Sequence, residues 1–204
     1  KNYLKILFKL KSKNKIMIAG SQGSGKSSLS KLIKLYLEKF CNKSVVIISM
    51  DDFYLSKNQR TQLSKNIHPL FLTRGVPGTH DLELMNKKIK QIFKKEFPIY
   101  LPIFDKVSDS RKRTYKRVFK ADVVIFEGWC AGARPVHLNY LHENFNNLEK
   151  YKDKNFIWRN SYNRYLNEYQ KLFSQFNFFI YFQFNHWDHV LNWKYKQELE
   201  LRDK

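Results

Sequence analysis

Residues Lys15–Phe40 read KIMIAGSQGSGKSSLSKLIKLYLEKF, and the interior Gly20-Ser21-Gln22-Gly23-Ser24-Gly25-Lys26-Ser27 fits the pattern G-x-x-x-x-G-K-S/T at every fixed position. Ile16, Met17 and Ile18 form a short apolar run, read as a buried parallel strand. After the loop, Leu29, Leu32, Ile33, Tyr36 and Phe40 recur at helical spacing. Strand, glycine loop and helix is the order that phosphate binding requires. Gly20, Gly23 and Gly25 let the backbone turn its N–H groups towards a phosphate, and the helix N-terminus adds partial positive charge. On this reading Lys26 reaches the β- and γ-phosphate oxygens of ATP and the Ser27 hydroxyl ligates Mg²⁺, with Ser21, Ser24 and Ser28 completing the nucleotide-binding stretch. The alternative is a glycine-rich turn with a solvated lysine. The flanking elements decide for the nucleotide.

Outward from this stretch, Val45–Met50 is a second apolar run and predicts another buried strand, followed at once by Asp51-Asp52-Phe53-Tyr54. Ligands of open parallel sheets sit beyond the carboxyl ends of the strands, which favours a functional role for this pair over a solvated turn or cap. Adjacent carboxylates point different ways, so one of the two is expected to face substrate. A third run, Ala121–Phe126, ends in Glu127 and predicts the strand that sets a carboxylate beside phosphate-bound Mg²⁺; an exposed Glu closing a strand is the alternative. Residues 55–80 lack periodicity and read as a long connection ending in Thr73-Arg-Gly-Val-Pro-Gly-Thr-His-Asp81, rich in turn formers and carrying Arg74 and His80. Asp81 is placed to cap a helix marked by Leu82, Met85, Ile89, Ile92 and Phe93. Phe97–Phe104, interrupted by Pro98 and Pro102, predicts an edge strand or extended loop, with Asp105, Lys106 and Arg111 after it. Asn139–Phe156 is polar and weakly patterned. Tyr162, Leu166, Tyr169 and Phe173 mark a helix with Trp158 just upstream, Phe178–Phe182 a fourth strand, and Trp187–Leu201 a final helix.

Composition bounds the partners. The 204 residues carry a formal charge of +20, but Lys outnumbers Arg 29 to 9 and is scattered along the chain with abundant Asn. Base reading favours clustered Arg with aromatic platforms, and no such block is present. The charge is read as compositional drift plus attraction of anionic small molecules, with no specific nucleic-acid partner. Cys41 and Cys130 have neither metal-ligand spacing nor a disulfide framework, which predicts a reducing compartment and a cytoplasmic location. The histidines are expected to be structural or single-contact groups. No apolar run is long enough to cross a membrane. Lys1–Lys15 reads as the end of an amphipathic helix, and the lack of an initiator Met predicts that the sequence starts inside a longer protein. A single domain is expected, incomplete at both ends.

Five strings occur in order: Gly20–Ser27, Ser49-Met-Asp-Asp-Phe-Tyr-Leu55, Arg74-Gly-Val-Pro-Gly-Thr-His-Asp81, Phe104-Asp-Lys106 and Phe126-Glu-Gly-Trp129. Together they resemble the D-glycerate 3-kinase family, which groups with uridine kinase, phosphoribulokinase and pantothenate kinase. The resemblance spans nearly the whole chain, and Arg-Gly-x-Pro-Gly-Thr-His-Asp is its most specific piece. It implies a three-layer α/β fold of the P-loop NTPase kind, with a mostly parallel sheet flanked by helices, and ATP-Mg²⁺-dependent phosphorylation of a hydroxyl, with D-glycerate as the acceptor. By this likeness Asp51 holds the position of the general base and Glu127 that of the metal-side acid. Lys26 and Ser27 keep their loop roles, while Tyr54, Arg74, His80, Asp81, Asp105, Lys106, Arg111 and Arg134 match the acceptor side. Two departures stand out: Val107-Ser-Asp-Ser-Arg-Lys-Arg-Thr-Tyr115 replaces a glycine-rich string after Lys106, and Trp193-Lys194 stands where Trp-Arg is expected. A uridine- or pantothenate-type kinase and a non-catalytic nucleotide-binding regulator are the other readings; retention of both Asp51 and Glu127 argues against the second.

Overall fold

Parallel strands buried on both faces account for most of the apolar runs. The structure, a computed structural model, describes residues 9–10, 12–183 and 186–202. In chain order the main elements are β1 (Lys15–Gly20), α1 (Lys26–Cys41), β2 (Val45–Ser49), α2 (Lys57–Asn66), α3 (Leu82–Phe93), β3 (Val123–Gly128), α4 (Ile157–Phe173), β4 (Phe178–Phe182) and α5 (Trp187–Arg202). The amphipathic segment expected over Lys1–Lys15 lies for the most part outside the described residues. The chain gathers into two compact units: one takes the residues up to Ser49, Val118–Ala131 and those from Gln175 on, the other Met50–Arg117 and Gly132–Ser174.

The first unit holds a four-stranded sheet in the order β2-β3-β1-β4, with every pairing parallel. This is the mostly parallel α/β architecture expected from the sequence. Val45, Ile16, Ile18, Val123 and Ile125 of the sheet pack with Leu29, Ile33 and Leu37 of α1 in one core. The buried face of α1 is therefore Leu29-Ile33-Leu37, whereas Leu32 is 47% and Phe40 73% exposed. Apolar residues at i+3 and i+4 allow two overlapping stripes on this helix, and the sheet selects one of them. Asn42, in the left-handed region at φ 51°, ends α1 through its N–H to Leu37 O.

In the second unit the segment 55–80, expected to be a connection, contains α2 and a 3₁₀ turn at Pro69–Leu72. A capping box starts α2: Gln59 N–H donates to Ser56 Oγ at 3.3 Å, and Ser56 N–H donates to Gln59 Oε1 at 3.0 Å. The only buried residue of α2 is Arg60, so the helix has no apolar stripe for periodicity to reveal. Two further short helices, Leu138–Leu141 and Asn147–Lys152, occupy the weakly patterned stretch, and α4 begins one residue before Trp158. Asp81 caps α3 by accepting from Leu84 N–H at 3.0 Å, and Met85, Ile89 and Ile92 form its buried face as the spacing predicts.

Two arginines are buried in this unit, each 1% exposed. Arg60 donates to Leu55 O at 3.2 Å and Leu72 O at 2.9 Å and pairs with Asp109. Arg159 donates to Asp153 Oδ2 at 3.0 Å, Asp153 O at 2.9 Å, Glu143 O at 2.7 Å and Asn144 Oδ1 at 3.1 Å. Its guanidinium lies 4.7 Å from the Phe156 ring centroid. The Asp153 side chain, fully buried, also accepts the backbone N–H groups of Trp158 and Arg159. Removing one partner of such a pair leaves an uncompensated buried charge. Arg159→Met is expected to destabilise the protein by about 3–5 kcal/mol, with Arg159→Lys in between, because lysine keeps the charge but not the fork. Urea midpoints of the three proteins check this; an unchanged midpoint for Arg159→Met shows that the cluster contributes nothing.

Candidate active site

The phosphate loop begins where β1 ends. Gly20 faces Phe182 across the β1–β4 pairing, and a Cβ on it would lie 2.6 Å from Phe182 Cβ and 2.8 Å from Ser24 Oγ, so only glycine fits. Gly25, at φ 90°, is the N-cap of α1 and offers no side-chain cap; the space where its Cβ would point is open. A helix start that its own N-cap side chain does not cap suits an outside acceptor such as a phosphate oxygen. Ser24 N–H donates to Ser21 O at 3.3 Å, with Gly23 at positive φ carrying the turn, and the Lys26 ammonium donates to the same carbonyl at 2.6 Å. The Ser21 and Ser24 hydroxyls are buried without a hydrogen-bond partner among the described residues. Orphaned donors in a cradle of amides fit the oxygens of a phosphate chain. Ser28 is exposed in the first turn of α1.

Glu127 ends the apolar part of β3 and is 7% exposed, with register partners Ile18 on β1 and Ser49 on β2. The Ser27 hydroxyl lies 3.2 and 3.1 Å from its two carboxylate oxygens and donates to them. A hydroxyl and a carboxylate are hard oxygen donors, suited to Mg²⁺ that keeps waters and phosphate oxygens in its shell. The residues fit the ion that the sequence pattern implies.

The strings that the resemblance assigns to the acceptor come together within the second unit. Asp51 and Asp52 sit in a 3₁₀ turn, Met50–Phe53, and point to different partners. Asp52 Oδ1 accepts Phe104 N–H at 3.1 Å, a structural bond, whereas Asp51 Oδ2 receives the Lys106 ammonium at 2.7 Å. Tyr54 and His80 form an antiparallel bridge, with rings stacked 4.4 Å apart. Arg111 donates to Tyr54 O at 3.1 Å and to Asp81 Oδ2 at 2.8 Å, so Asp81 serves both the helix cap and the cation. Arg74 pairs with Asp109, reaches Lys106 O at 3.4 Å and lies 5.6 Å from the Phe104 ring centroid. Asp105 accepts Val107 N–H and the Ser108 hydroxyl and so closes the turn between the paired strands Phe104–Asp105 and Ser110–Arg111. Arg134 is exposed and stands outside this network.

The electrostatics separate the two adjacent acids. Burial acts to raise the Asp51 carboxyl, but the Lys106 ammonium, helped by a hydrogen bond from Tyr54, outweighs it and holds the group below the ordinary value. Asp52 is raised, by burial first, with the Phe104 N–H opposing. Burial likewise acts to raise Asp109, and the guanidiniums of Arg60 and Arg74 overrule it. His80 is pushed down to about 3 by burial, with Asp51 opposing, so its ring is neutral.

Sequence reasoning missed Asp109 and Tyr169. Asp109 lies in the string noted only as a departure, and its partners Arg60 and Arg74 are 49 and 35 positions away. By its spacing Tyr169 is one residue of an apolar stripe, yet its hydroxyl lies 2.8 Å from His80 Nδ1 and accepts Gly78 N–H at 3.1 Å. A tyrosine rather than phenylalanine on a buried stripe is itself a signal, since its hydroxyl needs a partner.

The chain resembles known proteins over this same span. The family model described as Phosphoribulokinase / Uridine kinase family matches residues 15–150. An uncharacterized kinase of Schizosaccharomyces pombe, mug58, is 30% identical over 201 residues, covering 91% of this chain and 70% of that protein. The solved structure of D-glycerate 3-kinase from Cryptococcus neoformans superposes with a TM-score of 0.79 at 29% identity, covering 98% of this chain and 77% of that one. The chloroplastic D-glycerate 3-kinase of Arabidopsis thaliana is 30% identical over 133 residues, 59% of this chain and 29% of that protein. Phosphate loop, strand-end acid and parallel sheet agree with these likenesses, and the chain belongs to the phosphoribulokinase / uridine kinase family of kinases.

Proposed function

We propose that this ATP-dependent kinase transfers the γ-phosphoryl group to a hydroxyl of a small hydroxy acid, with D-glycerate as the acceptor. Support comes from the likeness to two D-glycerate 3-kinases and from the residues of the second unit. The observation that carries the reading is the Asp51–Lys106 pair. It keeps one carboxylate ionised for the acceptor hydroxyl, while its neighbour Asp52 is committed to a backbone N–H. Lys26 and the amides at the start of α1 bind and orient the phosphates, and Ser27 with Glu127 holds Mg²⁺. When bound, the ion neutralises charge on the phosphate oxygens. Asp51 accepts or orients the hydroxyl proton. A guanidinium has five N–H donors, and the contacts named for Arg74 and Arg111 use two on each, which leaves donors for a carboxylate.

Rates across acceptors test the assignment. D-Glycerate is expected to exceed glycerol by about ten- to a hundredfold in kcat/KM, the cost of losing a charge-assisted carboxylate contact. Uridine or pantothenate outrunning D-glycerate would remove the acceptor while leaving the kinase in place.

Asp51→Asn is expected to lower kcat by about 10²- to 10⁴-fold with little change in KM for ATP, and Asp52→Asn to act on stability more than on kcat. The reverse pattern in steady-state kinetics would move the base by one position.

The pH profile gives a separate check. A base must be ionised to act, so activity is lost as pH falls through its pKa. With Lys106 in place that pKa lies below the ordinary carboxylate value. Lys106→Met leaves burial unopposed by the ammonium, so the acid limb of kcat/KM is expected at higher pH than in the wild type. Superimposable acid limbs would exclude Asp51 as the titrating base.

A further inference from the structure

In the second unit a chain of hydrogen bonds ends on a buried ring nitrogen that has no hydrogen-bond partner among the described residues. Gly78 N–H donates to the Tyr169 hydroxyl, and that oxygen lies 2.8 Å from His80 Nδ1. The hydroxyl that accepts from Gly78 N–H can also donate its own proton to Nδ1, and a neutral ring bonded in that sense carries its proton on Nε2. Nε2 is buried and has no hydrogen-bond partner among the described residues, in a residue only 4% exposed. Folded proteins rarely leave a buried N–H unsatisfied. The ring stacks on Tyr54 with centroids 4.4 Å apart. The same Tyr54 donates to Asp51, and the His80 ring lies within electrostatic reach of that carboxylate.

We propose that His80 Nε2–H donates to a non-reacting oxygen of the acceptor, and that Tyr169 is the positioning residue that fixes the tautomer. This rests on the reading of the second unit as the acceptor side. Gly78 belongs to the same device: a Cβ on it would lie 2.3 Å from the Tyr165 ring, so the backbone N–H reaches Tyr169 only because residue 78 is glycine.

The test pairs kinetics with ¹⁵N NMR of the histidines in the whole chain. His80→Phe is expected to raise KM for D-glycerate about tenfold or more while leaving KM for ATP unchanged. Wild-type His80 should show the Nε2–H tautomer, with an Nε2 shift on adding D-glycerate but not ATP. Tyr169→Phe should mix the tautomers and raise the acceptor KM about threefold. An Nδ1–H tautomer in the wild type, or an unchanged acceptor KM in folded His80→Phe, overturns the inference and leaves the kinase reading standing. Should His80→Phe not fold, Tyr169→Phe decides: mixed tautomers with an unchanged acceptor KM overturn it. Wild-type protein that phosphorylates no acceptor overturns the functional reading and this inference with it.

Discussion

The hydrogen bond from the Ser27 hydroxyl to the Glu127 carboxylate joins residues a hundred positions apart, and the phosphate-loop edge of the sheet in the first unit is built around it. It exists because β1 and β3 pair in parallel with Ile18 opposite Glu127. A parallel pair brings both carboxyl ends to the same edge of the sheet, so the loop that follows β1 meets the acid that ends β3. An antiparallel pairing of the same two runs would put them at opposite edges. The apolar core under β1 and α1 supplies the free energy, and the polar pair is carried into place by it. Burying Ile16, Ile18, Ile33, Leu37, Val123 and Ile125 contributes about 1.5–3 kcal/mol each. The Ser27–Glu127 bond adds about 1 kcal/mol or a little more. Packing decides the fold; the bond decides what the fold presents.

The second unit is organised on a different principle. Its helix α2 buries an arginine instead of an apolar stripe, and Arg159 brings charge into the interior of the same unit. Desolvating each guanidinium costs several kcal/mol, which only good geometry and complete hydrogen bonding offset. Carbonyls and carboxylates from distant positions meet that requirement: Leu55, Leu72 and Asp109 around Arg60, and Glu143, Asn144 and Asp153 around Arg159. Directional bonds of this kind fix loops that apolar contact alone would leave free to slide.

Asp109 ties that scaffold to the acceptor strings, because its two oxygens serve the buried Arg60 and the partly exposed Arg74. The cations on this side are thereby matched by acids: Arg74 by Asp109, Arg111 by Asp81 and Lys106 by Asp51. A surplus of cations in the strings is therefore not a surplus of field. Guanidinium and ammonium donors held by such pairs discriminate by geometry more than by net charge.

Much of the fold was legible in the chain. The strand–loop–helix at Lys15–Phe40, the runs at Val45 and Ala121, the fourth strand at Phe178 and the Asp81-capped helix each carry a local signal, in periodicity, glycine spacing or a cap, that neighbouring residues suffice to produce. Candidate site residues could be named for the same reason, since the loop and the strand-end acids are defined by position in short strings. Other features had no local signal. The chain alone did not show that Leu29, Ile33 and Leu37 are the buried face of α1, because Leu32 and Phe40 fit a stripe equally well until a sheet is placed against one side. Nor did it show α2, whose core residue is charged. Adjacency alone did not separate Asp51 from Asp52, which only the family likeness distinguished; Lys106 and the Phe104 N–H, from more than fifty residues away, give the two acids different partners. The partners of Asp109 and the Gly78–Tyr169–His80 chain are likewise long-range. Local sequence determined which elements form and which chemistry they carry; tertiary structure decided which side chains are committed to one another, because pairing between distant residues depends on the path of the whole chain.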